Sequence, residues 1–206
     1  MEHSQTLPNA RDKLLGAAVR LVREKGYNAT SVDSLCEVAG VTKGAFFHHF
    51  KSKEDLAVAA SHFWTKNAAQ LFAAAEYNKF EDPLDQLIGY VDFRLQLLQG
   101  STLAECTCLL GTMVQEKFET SPAIREACFE GIHFHATEVG KMMASAKVLH
   151  APQASWSVES LALYTQTVIQ GAFVLAKAKN DVGLAADMIL HLRRYIELLF
   201  HHAKED

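Results

Sequence analysis

Prolines are scarce in this chain of 206 residues: there are four, Pro8, Pro83, Pro122 and Pro152. Long stretches between them contain nothing that must break a helix, and no apolar–polar alternation runs far enough to predict a strand. Cysteines are as few. Cys36, Cys106, Cys108 and Cys128 form no Cys-x-x-Cys pair, and the first thirteen residues are polar, without the apolar core of a secretory signal. Free thiols in a reducing cytoplasm are therefore expected. Basic charge is also lacking, since the formal net charge is -4. The balance is uneven, however: residues 1–60 carry 8 Lys/Arg against 7 Asp/Glu, and all the net negative charge lies beyond them. The first part can thus approach a polyanion better than the rest.

No hydrophobic run is long enough for a membrane span. The uncharged stretch 160–176 is the best candidate, but it holds Thr165, Gln166, Thr167 and Gln170 and falls short of the roughly 20 residues required. No membrane association is expected. Catalytic signatures are missing too: there is no His-Glu-x-x-His, no nucleophile elbow and no phosphate-cradling glycine loop. Cys106 and Cys108, like His133 and His135, are two apart on predicted helices, about 200° around the axis, so neither pair can chelate one ion. The chain is read as no enzyme, with no cofactor and no metal.

What is present is helical periodicity. Leu14, Ala18, Leu21 and Val22 define a first helix that Gly26 stops. Thr30 with Asp33 resembles a capping box opening a second, with Val32, Leu35, Cys36 and Ala39 buried before Gly40 breaks it. Thr42 caps a third carrying Ala45, Phe46 and Phe50, and Ser52 caps a long fourth with Leu56, Ala59, Ala60 and Phe63 inward. Five more segments follow, near 84–99, 102–118, 122–146, 157–179 and 183–203. An all-α fold of about nine helices is predicted.

Residues 31–50 have the spacing of a helix-turn-helix. Ala39-Gly40-Val41 supplies a small residue, a glycine able to take positive φ, and an apolar plug for the corner. The following helix opens Thr42-Lys43-Gly44-Ala45, small enough to sink its first turn into a major groove, where base edges are read. Thr30, Ser31, Thr42, Lys51 and Lys53 put hydroxyls, backbone N–H groups and cations where phosphates would run. Phe46 and Phe50 share the inner face and are expected in the core.

Residues 11–60, from Gly26-Tyr27 through Ala39-Gly40-Val41 to the run Gly44-Ala45-Phe46-Phe47-His48-His49-Phe50-Lys51-Ser52-Lys53-Glu54-Asp55-Leu56, resemble the N-terminal domain of the TetR family of repressors. Cys108 to Glu116 also resembles a sensor-domain helix found in part of that family. The resemblance implies a helix-turn-helix DNA-binding domain at 1–54 and a helical effector-binding and dimerisation domain at 55–206. It implies that Lys43, Gly44, Ala45 and His48 lie nearest the bases, with Thr42, Phe47, His49 and Lys53 near the backbone. The family very often has a tyrosine where this chain has Phe47, which cannot donate to a phosphate. Asp33 would lie near DNA, able to accept from a cytosine amino group.

The implied protein is a repressor that binds a palindromic double-stranded DNA operator as a homodimer and is released by a small-molecule effector. For the dimer, Leu161, Val168, Ala172 and Ala176 form one stripe and Met188, Leu192, Tyr195 and Leu199 another, although a packed core within one chain explains both equally well. For an apolar or aromatic effector, Tyr90, Phe93, Met113, Phe118, Phe134 and Met142 are candidate walls, with Gln166, Gln170 and Glu116 as polar anchors. Two rival readings stand beside this one: a thiol- or metal-responsive regulator of the same fold, and a helical interaction bundle without DNA binding.

Overall fold

The computed structural model describes residues 9–202, and among these it contains nine α-helices and no strand. They are α1 (Ala10–Lys25), α2 (Val32–Ala39), α3 (Lys43–His49), α4 (Lys53–Ala73), α5 (Pro83–Leu98), α6 (Leu109–Lys117), α7 (Pro122–His150), α8 (Val158–Lys179) and α9 (Val182–His202), with a 3-10 turn at Glu76–Lys79. The all-α fold expected from periodicity is the fold observed. The helices gather into two compact units. The first contains residues 9–64 and 109–128, the second 65–108 and 129–202. The unit that holds the helix-turn-helix therefore extends past residue 54 and takes in α6 and the start of α7.

In the first unit the predicted punctuation is largely in place. Gly26 ends α1 at φ +91, Gly40 ends α2 in the left-handed region, and Ser52 accepts from Asp55 N at 3.0 Å to open α4. The cap of α2 differs from expectation. Ser31, not Thr30, is the N-cap: its hydroxyl accepts from Ser34 N, and Ser34 Oγ accepts from Ser31 N, each at 3.1 Å. Thr30 is 1% exposed, so its hydroxyl needs an internal acceptor and donates to Gly26 O at 2.7 Å.

The segment from Gly26 to Thr30 is tied down by two charged side chains. Glu116 of α6 accepts from Tyr27 N at 3.0 Å and Asn28 N at 2.7 Å. Lys53 of α4 donates to Tyr27 O at 3.1 Å and Thr30 O at 2.9 Å, with its ammonium 4.1 Å from the Tyr27 ring centroid. Burial, then the nearby Lys117 charge, pushes the Lys53 pKa down, against the opposing pull of Glu116. Around Lys53 the core of Leu35, Leu56, Leu109 and Met113 leaves a void of about 10 Å³, at most marginal for a single water.

The second unit packs α8 on α9 and α9 on α5, over a core that includes Leu87, Val91, Val139, Met143, Ile189 and Ile196. Pro83 opens α5 behind Asp82, whose carboxylate accepts from Leu84 N at 2.7 Å. The helix expected over 102–118 starts only at Leu109. Upstream, Glu105 accepts from both Thr102 N and Thr102 Oγ1, and Thr107 Oγ1 donates to Leu103 O, so local side-chain bonds hold turns in its place. Cys106 and Cys108 consequently lie in this turn region and not on a helix. The two stripes expected at a dimer face are corrected as well. Leu161, Ala172, Ala176 and Leu192 are buried within the chain, Val168, Met188 and Leu199 are half-buried, and of the two stripes only Tyr195 is exposed; Leu163, Tyr164, Val174, Leu175 and Leu198 are exposed large apolar residues of α8 and α9 outside them. Periodicity marks an apolar face without saying what covers it.

Beside this core, Tyr90 and Arg94 of α5 meet His135 of α7. His135 Nε2 lies 3.0 Å from Tyr90 Oη and 2.6 Å from Arg94 Nη2. Burial, with the Arg94 charge beside it, pushes the His135 pKa from 6.5 down to about 3, so the folded protein holds this imidazole neutral.

Two outcomes are expected. A Cβ at Gly26 would collide with Glu116 Oε1 at a φ that side chains rarely adopt. Gly26→Ala should destabilise by about 1–2 kcal/mol and Glu116→Ala by about 1–3 kcal/mol in urea unfolding. The double variant should lose clearly less than the sum, because alanine at 26 already evicts the carboxylate. For His135, the unfolded chain binds a proton below pH 6.5 that the folded chain refuses until about 3. The contribution is complete above pH 6.5 and declines as the pH falls towards 3, by at most about 1.4 kcal/mol per pH unit. His135→Gln should flatten the acid limb of stability over that window; an unchanged limb would refute the assignment.

Candidate nucleic-acid interface

The second helix of the motif is α3, seven residues long. A helix this short is not stable alone, so tertiary anchors must hold it. Thr42 caps it, accepting from Ala45 N at 3.1 Å, and Phe46 and Phe50 anchor it: both are buried, with ring centroids 6.0 Å apart. The predicted core roles of these two phenylalanines are what the structure has. With one side locked, Thr42, Lys43, Gly44, Phe47 and His48 are exposed, and Ala45 and His49 half-buried. Phe47 is 57% exposed, an unusual position for a large apolar ring, and meets the Phe46 ring edge-on at 5.1 Å. Nothing crowds the first turn. A Cβ added at Gly44 would meet only Thr42 Oγ1, at 3.7 Å.

The residues read as phosphate neighbours separate into two groups. Ser31, Thr42 and Lys51 are exposed, as expected, although the Ser31 and Thr42 hydroxyls also serve as caps. Thr30 is turned inward, because its hydroxyl closes the turn after α1; as a phosphate contact it is ruled out by burial. Lys53 spends two of its N–H donors on backbone carbonyls and is half-buried, which makes it first a brace for the loop. Lys43 forms an exposed ion pair with Asp33, Nζ to Oδ1 2.6 Å, and this hydrogen bond raises the Lys43 pKa. That pair was invisible in the sequence as a pair, though both residues had been placed near DNA. It leaves Asp33 shielded by a cation.

The residues proposed for an effector are divided between the two units. Met113 and Glu116 belong to the first unit, where Met113 is core and Glu116 holds the Tyr27–Asn28 backbone. In the second unit Tyr90 and Phe93 join Phe72, Tyr77 and His135 in an aromatic cluster with ring centroids 4.8–6.0 Å apart. Phe118 and Phe134 are exposed, and Met142 and Gln170 half-buried. Gln166 is buried, and its Nε2 has no hydrogen-bond partner among the described residues. Sequence reasoning missed Arg94 and His135. Arg94 had a signal, four residues after Tyr90 on the same helix face; His135 had none. Among the described residues no group of three or more His, Cys, Asp or Glu is placed to hold a metal ion, and no helix is long and apolar enough to cross a membrane.

Comparison with known proteins agrees with this geometry. The sequence profile described as "Bacterial regulatory proteins, tetR family" matches residues 14–60. The HTH-type transcriptional regulator LmrA of Bacillus subtilis is 30% identical over 182 residues, covering 85% of this chain and 91% of that protein. The HTH-type transcriptional regulator AcrR of Shigella flexneri is 28% identical over 115 residues, 56% of this chain and 52% of the relative, so the chain spans only about half the length of that protein. Among solved structures, regulatory protein TetR from Rhodobacter sphaeroides superposes with a TM-score of 0.80 at 22% identity, over 90% of this chain and 97% of the other, which shows a common fold. With the helix-turn-helix in place, the family profile lying on it and a relative matched along nearly its whole length, the chain belongs to the TetR family of transcriptional regulators.

Proposed function

We propose that this chain is a ligand-responsive repressor, which binds a palindromic operator as a homodimer and is released by a small-molecule effector. One observation carries the reading. A seven-residue helix is pinned by two buried phenylalanines while its opposite side, from Thr42 through Gly44 to His48, is bare and unobstructed. Such a side has the width and the small residues that entry into a major groove requires. Lys43, Gly44, Ala45 and His48 then face the bases. Ser31, Thr42, Phe47, His49 and Lys51 flank the backbone, Phe47 by contact alone. Lys53 acts mainly by holding the loop between α1 and α2.

One such motif buries too little surface for useful affinity, so two copies are required, one DNA turn or roughly 34–36 Å apart. The exposed apolar residues Leu163, Tyr164, Val174, Leu175, Tyr195 and Leu198 support a second copy seated on α8 and α9. An effector shifts the population only if it binds the two arrangements differently.

Gly44→Trp tests the groove assignment, since position 44 is exposed and a Cβ there meets only Thr42 Oγ1, in ordinary contact at 3.7 Å. Specific retention of duplexes selected by the wild type should vanish while circular dichroism and oligomeric state stay unchanged; retained affinity would refute the assignment. Lys51→Ala should weaken all sequences alike and reduce the slope of log affinity against log salt by about one. Lys53→Ala should in addition lower the unfolding midpoint, because it strips two carbonyls of their donor.

A further inference from the structure

Two arginines of the second unit sit in contrasting company. Arg193 of α9 is saturated with negative charge, its Nε 2.7 Å from Asp92 Oδ1 and its Nη1 2.5 Å from Glu197 Oε1. Arg94 of α5 is half-buried and forms no ion pair among the described residues. Its partners are all neutral. Nε donates to Tyr90 Oη at 3.1 Å and Nη2 to His135 Nε2 at 2.6 Å; the guanidinium carbon lies 4.5 Å from the Phe72 ring centroid and 5.4 Å from that of Tyr90.

A guanidinium has five N–H donors, so three remain after these two bonds. His135 Nε2 faces the N–H of Arg94 and so presents its lone pair, which leaves the ring neutral. Nothing in the cluster balances the arginine charge. A cation partly withdrawn from water attracts an anion more strongly than a solvated one does, and the planar fork of arginine matches a carboxylate in two-point contact. Phe72, against whose ring the guanidinium packs, meets Phe93 edge-on, and Phe93 in turn adjoins Tyr77, aromatic surroundings that suit an apolar or aromatic body.

We propose that Arg94, with Tyr90 and His135, is the anchor of the effector site and that the effector is an organic anion: a carboxylate on an aromatic or apolar body. The proposal rests on reading the second unit as the effector-binding half. It adds the charge of the ligand, which the apolar candidates alone left open. An arriving carboxylate takes the free N–H groups of Arg94 and offsets the uncompensated charge of the cluster.

The test is calorimetric titration of the full chain with benzoate, octanoate and neutral benzamide. At least one carboxylate should bind, and benzamide should bind about tenfold more weakly or worse. Arg94→Met should reduce carboxylate binding to the benzamide level. Should Arg94→Met fail to fold, Arg94→Lys keeps the charge without the fork and should still weaken binding. No binding of either carboxylate, equal binding of benzamide, or undiminished affinity in the arginine variants would overturn the proposal. DNA retention measured without ligand keeps the two readings apart. Carboxylate binding without DNA binding sinks only the operator reading, and DNA binding without carboxylate binding sinks only the anion.

Discussion

Five residues, Gly26 to Thr30, hold the first unit together, and two opposite charges hold those five residues. Glu116 takes the N–H groups of Tyr27 and Asn28; Lys53 gives to the carbonyls of Tyr27 and Thr30. A connection between two helices would otherwise leave these groups to water. Here α6 supplies the acceptor and α4 the donor, so α1, α2, α4 and α6 meet at one short loop. Gly26 is needed because a side chain there would occupy the space of the carboxylate. Charge-assisted bonds to backbone are stronger than neutral ones and directional, which suits them to fixing the angle at which α2 leaves α1.

The position of α3 follows from that frame. It packs on α1 and α2 with its two phenylalanines buried, and its opposite side stays exposed. Rigid placement of a short, bare helix is what a reader of base edges needs, since both half-sites must be met together and small tilts are costly. The second unit is built otherwise: a long-helix packing with a neutral histidine and an uncompensated arginine beside an aromatic cluster. One unit spends its half-buried charges on backbone groups of a single loop, and the other leaves N–H donors of one arginine open.

Much of the fold was legible because it depends on local chemistry. Gly26, Gly40, Thr42, Ser52, Pro83 and Pro122 mark helix ends through φ, capping hydroxyls or a missing N–H, and these act within a few residues. The roles of Phe46 and Phe50 were legible from spacing. Three things were not. Thr30 and Ser31 are adjacent capping residues, and only burial of Thr30 decides between them. The 102–108 stretch has helical spacing, but the Thr102, Glu105 and Thr107 side chains bind locally and hold it in turns. Glu116 looked like a polar anchor for a ligand, whereas its partners lie 88 and 89 residues earlier in the chain. Contacts at that distance leave no periodic trace, and the same holds for His135 against Arg94, 41 residues apart.

The central claim is that α3 meets base pairs, twice per assembly. Selection of duplexes from a random pool by the purified wild-type protein addresses it most directly. The account predicts enrichment of an inverted repeat whose half-sites are centred one DNA turn apart, roughly 34–36 Å. A pool that stays random through successive rounds, or that converges on a single unrepeated site, would contradict it.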